Sequence, residues 1–130
     1  MVTFTEPRHP AEFLLSEANG YLSREVVTLA SNGSTAIAYP AGAVLAQLTS
    51  GGKFVWYDNA GSDGTEVARA ILLEAATVPA TGDLKAVVIA RHAEVQSAEL
   101  AWDPGLSGGT LTTAIGAAVT DFATHQIIVR

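Results

Sequence analysis

Hydrophobic residues along this chain recur in short runs, many alternating with polar ones, and turn dipeptides interrupt those runs about every 8 to 12 residues. Arg24 to Ala30 (REVVTLA) is β-branched and reads as a strand, and Thr35 to Tyr39 (TAIAY) predicts another. Between them Asn32-Gly33 is a turn pair, as is Asn19-Gly20 ahead of them, because both residue types tolerate positive φ. Tyr39-Pro40-Ala41-Gly42 turns the chain, with Pro40 setting φ and Gly42 permitting the exit. Ala43 to Leu48 and Lys53 to Tyr57 predict two strands joined as a hairpin through Gly51-Gly52. Asp58 to Thr65 (DNAGSDGT) reads as a loop.

Val67 to Val78 (VARAILLEAATV) mixes helix-favouring Ala, Leu and Glu with β-branched ends. Its β-rich surroundings favour one strand. Leu84 to Val95 holds the run Val87-Val88-Ile89 expected of a buried strand, and Glu99 to Trp102 predicts one more, stopped by Asp103-Pro104-Gly105. From Thr110 to His125 the period changes. Leu111, Ile115, Ala118, Val119, Phe122 and Ala123 fall on one helical face, with Thr110, Thr112 or Thr113 as candidate caps, and Ile127 to Val129 returns to strand. Met1 to Asn19 differs from the rest, since Pro7 and Pro10 disfavour helix, and it reads as an extended arm or a terminus without a role. Many short strands with one late helix predict a mainly β domain, a small sandwich or incomplete barrel, and no period of repeats is present.

Composition narrows the function classes. At 130 residues the chain fits one domain. Lys and Arg number 7 against 13 for Asp and Glu, a net charge of −6, so the basic footprint of a nucleic-acid binder is missing. Absence of cysteine excludes a disulfide framework, a thiolate metal site and a cysteine nucleophile. No run reaches the length of a membrane span, and the first residues, MVTFTEPRHPAEF, lack the pattern of a secretory signal. No membrane partner is expected. Charged residues are only 15% and hydrophobic ones 48%, which suggests apolar surface buried between subunits.

Candidate chemistry is sparse. Gly105-Leu106-Ser107-Gly108-Gly109 matches G-x-S-x-G, with Asp121 and His125 following in hydrolase order. A nucleophile elbow needs a strand entering the serine and a parallel α/β sheet around it, and Pro104-Gly105 with β-rich flanks supply neither. His9, His92 and His125 are isolated, without metal-ligand spacing. Asp58, Asn59, Asp63 and Glu66 carry oxygens suited to calcium but lack the EF-hand spacing, so a solvated turn accounts for them. No catalytic, cofactor-binding or metal site is expected. Phe54, Trp56 and Tyr57 share one short strand, with Phe54 and Trp56 on one face and Tyr57 on the other. They read either as core or as a subunit or partner interface.

Taken in order, RHPAEFLLSEANGYLSREVVTL, AGAVLAQLTSGGKFVWYD, GTEVARAILLEAATV, LKAVVIARHAEV and IIVR cover nearly the whole chain. That ordered set resembles the bacteriophage head decoration proteins, the lambda-like capsid-stabilising family. The resemblance implies a β-clip, a bent β-ribbon whose ends form an incomplete barrel, assembled as a homotrimer. It implies a virion protein, made in the bacterial cytoplasm, that binds the major capsid protein on the outside of the expanded head at local three-fold positions. There it reinforces the shell against packaged DNA and performs no catalysis. It further implies that residues 1–22 form a flexible arm that orders on the capsid by adding a strand. Phe13, Leu14, Leu15, Tyr21 and Leu22 are then its apolar contacts, and residues 23–130 are the decoration domain. One departure stands out: Gln126 occupies the place before IIVR where family members commonly carry Gly, the preferred helix stop. Two other classes share the clip. A deoxyuridine triphosphatase-like enzyme needs a catalytic Asp, Mg²⁺-bound phosphates and a Gly-rich C-terminal arm, where this sequence reads IIVR. A small trimeric carbohydrate- or antifreeze-type binding module is the other.

Overall fold

Ten strands and one α-helix make up the regular structure of the computed structural model, which describes all 130 residues. In chain order they are β1 (Leu14–Glu17), β2 (Arg24–Leu29), β3 (Ile37–Tyr39), β4 (Val44–Gln47), β5 (Phe54–Trp56), β6 (Ala68–Leu72), β7 (Ala76–Val78), β8 (Leu84–Ile89), β9 (Ala93–Val95), α1 (Gly108–Ala123) and β10 (Ile127–Val129). The mainly β reading with one late helix holds. Strands β2, β5, β4, β6 and β8 close into a five-stranded barrel. β2 and β8 pair antiparallel from Arg24↔Ile89 to Leu29↔Leu84, and β4 lies antiparallel to both β5 and β6. The seam between β2 and β5 rests on one parallel pair, Leu29↔Phe54, with the Ala30 N–H donating to the Phe54 carbonyl at 3.0 Å. A three-stranded sheet, β1-β9-β10, and a ribbon of β3 with β7 complete the β structure.

Two apolar clusters hold these pieces together. Val27, Leu29, Leu45, Phe54, Leu72 and Val88, drawn from all five barrel strands, fill the barrel. The other cluster lies on the outer face of β4, β6 and β8, where Val44, Ala46, Ile71 and Ile89 meet α1, Phe13, Leu100 and Ile127. The helix presents Ala114, Ala118 and Phe122 inward. Of the face expected from the periodicity, Ala118 and Phe122 are buried, whereas Val119 and Ala123 are exposed. Alanine at successive turns lets the helix backbone approach closely, and the Tyr57 hydroxyl reaches the Ala114 carbonyl at 3.2 Å. Thr110, Thr112 and Thr113 do not cap the helix. Their hydroxyls donate to the carbonyls of Ser107, Gly108 and Gly109, leaving Ser107 at the cap position without a side-chain bond.

Three expected strands take a different form. Val67 to Val78 divides into β6 and β7, because after Leu72 the chain leaves the barrel to pair with β3. Leu84 to Val95 divides into β8 and β9, with the break at Ala90 to His92. His92 lies in this turn at φ 50°, and the reversal carries residues 93–95 into a different sheet. Ser97–Glu99 is a 3-10 turn, and the following segment makes a single parallel bridge, Ala43↔Ala101, in place of a strand. Gly42 is required beside it. At φ +84°, a Cβ there would stand 2.6 Å from the Glu99 carbonyl oxygen.

Gln126 retains the conformation that its position demands, with φ +57° in the left-handed region. The helix exit is therefore that of a glycine stop, executed by a residue that is strained in it. Gln126→Gly should raise unfolding stability by about 1 kcal/mol, the order of the left-handed penalty for a residue with a Cβ. Urea denaturation checks this, and a lower midpoint in the variant would contradict it.

Candidate functional site

Residues 1–22 divide at Arg8. From that point the segment is anchored. The Arg8 guanidinium donates to the Glu99 carbonyl at 2.6 Å and to its carboxylate at 3.0 Å, and the Ala11 N–H donates to the Leu73 carbonyl at 2.8 Å. Phe13 is 1% exposed, within the cluster beneath α1. β1 then pairs antiparallel with β9, with an irregularity between Leu14 and Ser16. Before Arg8, Met1, Val2 and Phe4 project, Phe4 at 91% exposure.

Within the single chain, the expected contact residues differ in exposure. Phe13 is buried in the cluster that also holds Val95 and Leu100, where a large aromatic side chain removes much apolar surface from water. Leu14 is half-buried against the same cluster. Leu15, Tyr21 and Leu22 remain exposed, Tyr21 at 84%.

The loop carrying Tyr21 and Leu22 is held open by a lock at its base. Buried Ser23 donates its hydroxyl to the His92 carbonyl at 2.7 Å and accepts from the Ala18 N–H at 3.0 Å. Arg24 grips the Glu17 carboxylate through Nη2 at 2.6 Å and Nε at 3.0 Å, a two-point geometry that suits the guanidinium fork. That hydrogen bonding holds the Glu17 carboxyl below its usual range and raises the Arg24 pKa. Arg91 donates to the Leu22 carbonyl at 2.8 Å and pairs with Glu25. Tyr21 and Val26 then line a shallow depression of about 300 Å³ with Arg24, Glu25, Leu73 and Val87. Val26 is absent from the contacts expected from sequence. It follows Glu25 and precedes buried Val27, and only the strand's facing, set by β8, reveals its exposure.

The aromatic strand belongs chiefly to the core. Phe54 points into the barrel and Tyr57 into the other cluster, as the alternation predicts, and both are buried within this one chain. Burial pushes the Tyr57 phenol up to about 12. Trp56, half-buried with its ring tilted at 45° against Tyr39 and centroids 5.0 Å apart, alone among the three has surface to offer a partner.

The serine motif is dispersed. Ser107 precedes α1 and Asp121 lies near its far end, about 21 Å away at 1.5 Å per residue. The Asp121 carboxylate instead accepts from the Ala68 N–H at 2.9 Å, tying the helix to β6. His125 has its pKa lowered by burial first, then by the charge of Arg69.

Two expectations follow from these contacts. Ser23→Ala should cost about 0.5–1.5 kcal/mol, because it removes two hydrogen bonds and leaves the Ala18 N–H and the His92 carbonyl only their mutual 3.2 Å bond. Urea unfolding of the variant measures this, and an unchanged midpoint would dismiss the lock. Stability should also fall with acid in two stages. His125 is depressed when folded, so the unfolded chain takes up its proton first and stability declines as pH drops below about 6.5. Glu17, Asp63, Asp83 and Glu94 are also depressed, so a steeper loss follows below about pH 4. The urea midpoint against pH should show both stages, and His125→Asn should remove the first.

Compared with known families, residues 3–127 match the family model described as bacteriophage lambda head decoration protein D. No curated protein matches the chain at a significant level.

Proposed function

The chain belongs to the bacteriophage lambda head decoration protein D family, and on that premise we propose that it binds the outside of the expanded head as a homotrimer at local three-fold positions and stabilises the shell against packaged DNA. The family is one of structural phage proteins rather than enzymes, and its place is the capsid of the virion. The observation that carries the reading is the division of residues 1–22 into an anchored root and a projecting apolar tip. Met1, Val2 and Phe4 lie free ahead of Arg8, and Tyr21 and Leu22 project from the locked loop.

An extended segment donates backbone hydrogen bonds to a sheet edge while its side chains fill pockets, so Met1 to Pro7 acts as the added strand on the major capsid protein. Tyr21, Leu22 and Val26 form the second contact, with Leu15 beside them in β1. Three such tips on one trimer make the later contacts intramolecular, and avidity then exceeds single-arm affinity by about 10²–10⁴. Spacing matters under this scheme. Unexpanded heads, with their binding positions at a different separation, bind poorly. Support for the trimer comes from apolar side chains left exposed on neighbouring elements: Val67 before β6, Val119 on α1 and Ile128 on β10.

Two truncations test this. Removing Met1 to Pro7 should leave the urea midpoint and the trimer unchanged while weakening binding to expanded heads by about 10²-fold or more, the loss of avidity. Removing residues 1–22 should also destabilise the fold, because it takes Phe13 and β1 away, and Phe13→Ala alone should cost about 3–5 kcal/mol. Analytical ultracentrifugation and sedimentation with purified heads provide the readouts. A shortened protein that decorates expanded heads as tightly as the full chain would remove the tip from the mechanism, and a folded monomer at micromolar concentration would remove the trimer.

A further inference from the structure

The chain contains two Asn-Gly pairs in exposed turns, and their environments differ in one respect that controls their chemistry. At Asn32-Gly33 every reacting group is engaged. The Asn32 side-chain oxygen accepts from the Ser34 and Thr35 N–H groups, both at 2.9 Å, and its amide nitrogen donates to the Thr35 hydroxyl at 3.2 Å. The Gly33 N–H donates to the Ser31 hydroxyl at 3.1 Å. Ser31 is itself tied to the Ala80 carbonyl at 2.7 Å and to the Asp83 carboxylate at 2.9 Å. At Asn19-Gly20 the side-chain amide makes no hydrogen bond within the chain, and neither does the Gly20 N–H. Sterics do not separate the two sites. Both glycines have positive φ, +69° and +73°, and open space where a Cβ would stand.

From this contrast we propose that Asn19 is a site of spontaneous deamidation and isomerisation, and that the fold protects Asn32 from the same reaction. The deprotonated backbone nitrogen of Gly20 attacks the Asn19 side-chain carbonyl carbon and forms a new C–N bond. The bond to the amide nitrogen breaks, and ammonia leaves with the proton taken from the Gly20 N–H. The resulting five-membered succinimide adds one water at either carbonyl. One opening leaves an aspartate in the normal linkage, and the other leaves an isoaspartate. Ammonia is exchanged for water, and nothing is oxidised or reduced. Lack of a side chain on Gly20 leaves the attacking nitrogen unshielded, and a free N–H is the group that must lose its proton.

The products alter the loop in two ways. A carboxylate appears two residues from Glu17, and the iso linkage inserts one methylene into the main chain ahead of Tyr21 and Leu22. Asn32 cannot follow this course without first breaking the bonds to Ser31, Ser34 and Thr35.

Peptide mapping by mass spectrometry tests the assignment on the full-length folded protein, incubated in mildly alkaline buffer at physiological temperature. Trypsin separates the sites, since His9 to Arg24 contains Asn19 and Glu25 to Lys53 contains Asn32. The first peptide should gain about 1 Da, as amide becomes acid, and split into two isomers. Its rate should exceed that of the second peptide by about tenfold, the factor for one or two hydrogen bonds lost on the way to the transition state. In urea, where neither site keeps its folded partners, the two rates should converge. Equal rates in the folded protein would overturn the proposal. A gap of the same size in urea would overturn it as well, because the difference would then belong to the local sequence and not to the fold.

Discussion

Residues of β4 and β6 point into two different cores, alternating except where an irregularity in their pairing sets Ala68 and Ala70 on opposite faces, and the rest of the architecture follows from that two-sided burial. Leu45, Ala70 and Leu72 face the barrel interior, while Val44, Ala46, Ala68 and Ile71 face the opposite way. A five-stranded barrel fills its own inside with side chains and leaves this outer face apolar. Something has to cover it. The cover comes from segments far apart in the chain: Phe13 ahead of β1, Leu100 after the 3-10 turn, Ala114, Ala118 and Phe122 of α1, and Ile127 of β10. Alanines at Ala46, Ala68, Ala114 and Ala118 set the helix-to-sheet distance, so enlarging any one would force the layers apart, at about 1–3 kcal/mol for an overpacked position.

Because Phe13 belongs to that cover, the N-terminal segment is drawn into the fold, and this changes the energetics of any docking it performs. Ordering a free backbone costs about 1–2 kcal/mol per residue, so an arm of some twenty flexible residues would oppose binding heavily. Here Arg8 through Leu22 are ordered before any encounter, by the Glu99 ion pair, the β1–β9 pairing and the Ser23 lock. Only Met1 to Pro7 lie ahead of these anchoring contacts. The anchored root also fixes where the tip starts and at what angle Tyr21 and Leu22 are presented.

The local elements were largely legible in the sequence, and the long-range demands on them were not. The β4–β5 hairpin follows from Gly51-Gly52 and its flanking apolar runs, and the Phe54/Trp56 versus Tyr57 alternation survives intact. The late helix follows from its period, although its buried face is displaced towards Ala114 because the contacts that select it, with Tyr57 and β6, lie far away in sequence. Leu84 to Val95 reads as one apolar run, and nothing within it marks the reversal at His92, a residue whose positive φ is imposed by the hand-over from one sheet to another. The N-terminal contacts show the same division. Tyr21 and Leu22 lie next to a legible turn and are exposed, whereas Phe13 is separated by about eighty residues from the Val95 that it meets.

Charge completes the picture of what kind of surface this is. Of the seven cationic side chains, five are committed within the chain: Arg8 to Glu99, Arg24 to Glu17, Lys53 to Asp83, Arg91 to Glu25 and Arg130 to Glu94. Exposed pairs of this kind contribute little stability, about 0–1 kcal/mol each. Their effect is geometric, since four of them fasten the N-terminal segment to the 3-10 turn and to β2, the β8–β9 turn to β2, and the end of β10 to β9. Two cationic side chains, Arg69 and Lys85, and eight acidic ones stand outside these five pairs, so the remainder is net acidic. The attachment proposed above uses instead the apolar side chains that the fold leaves uncovered: Met1, Val2 and Phe4 ahead of Arg8, and Tyr21, Leu22 and Val26 on the shoulder beside it.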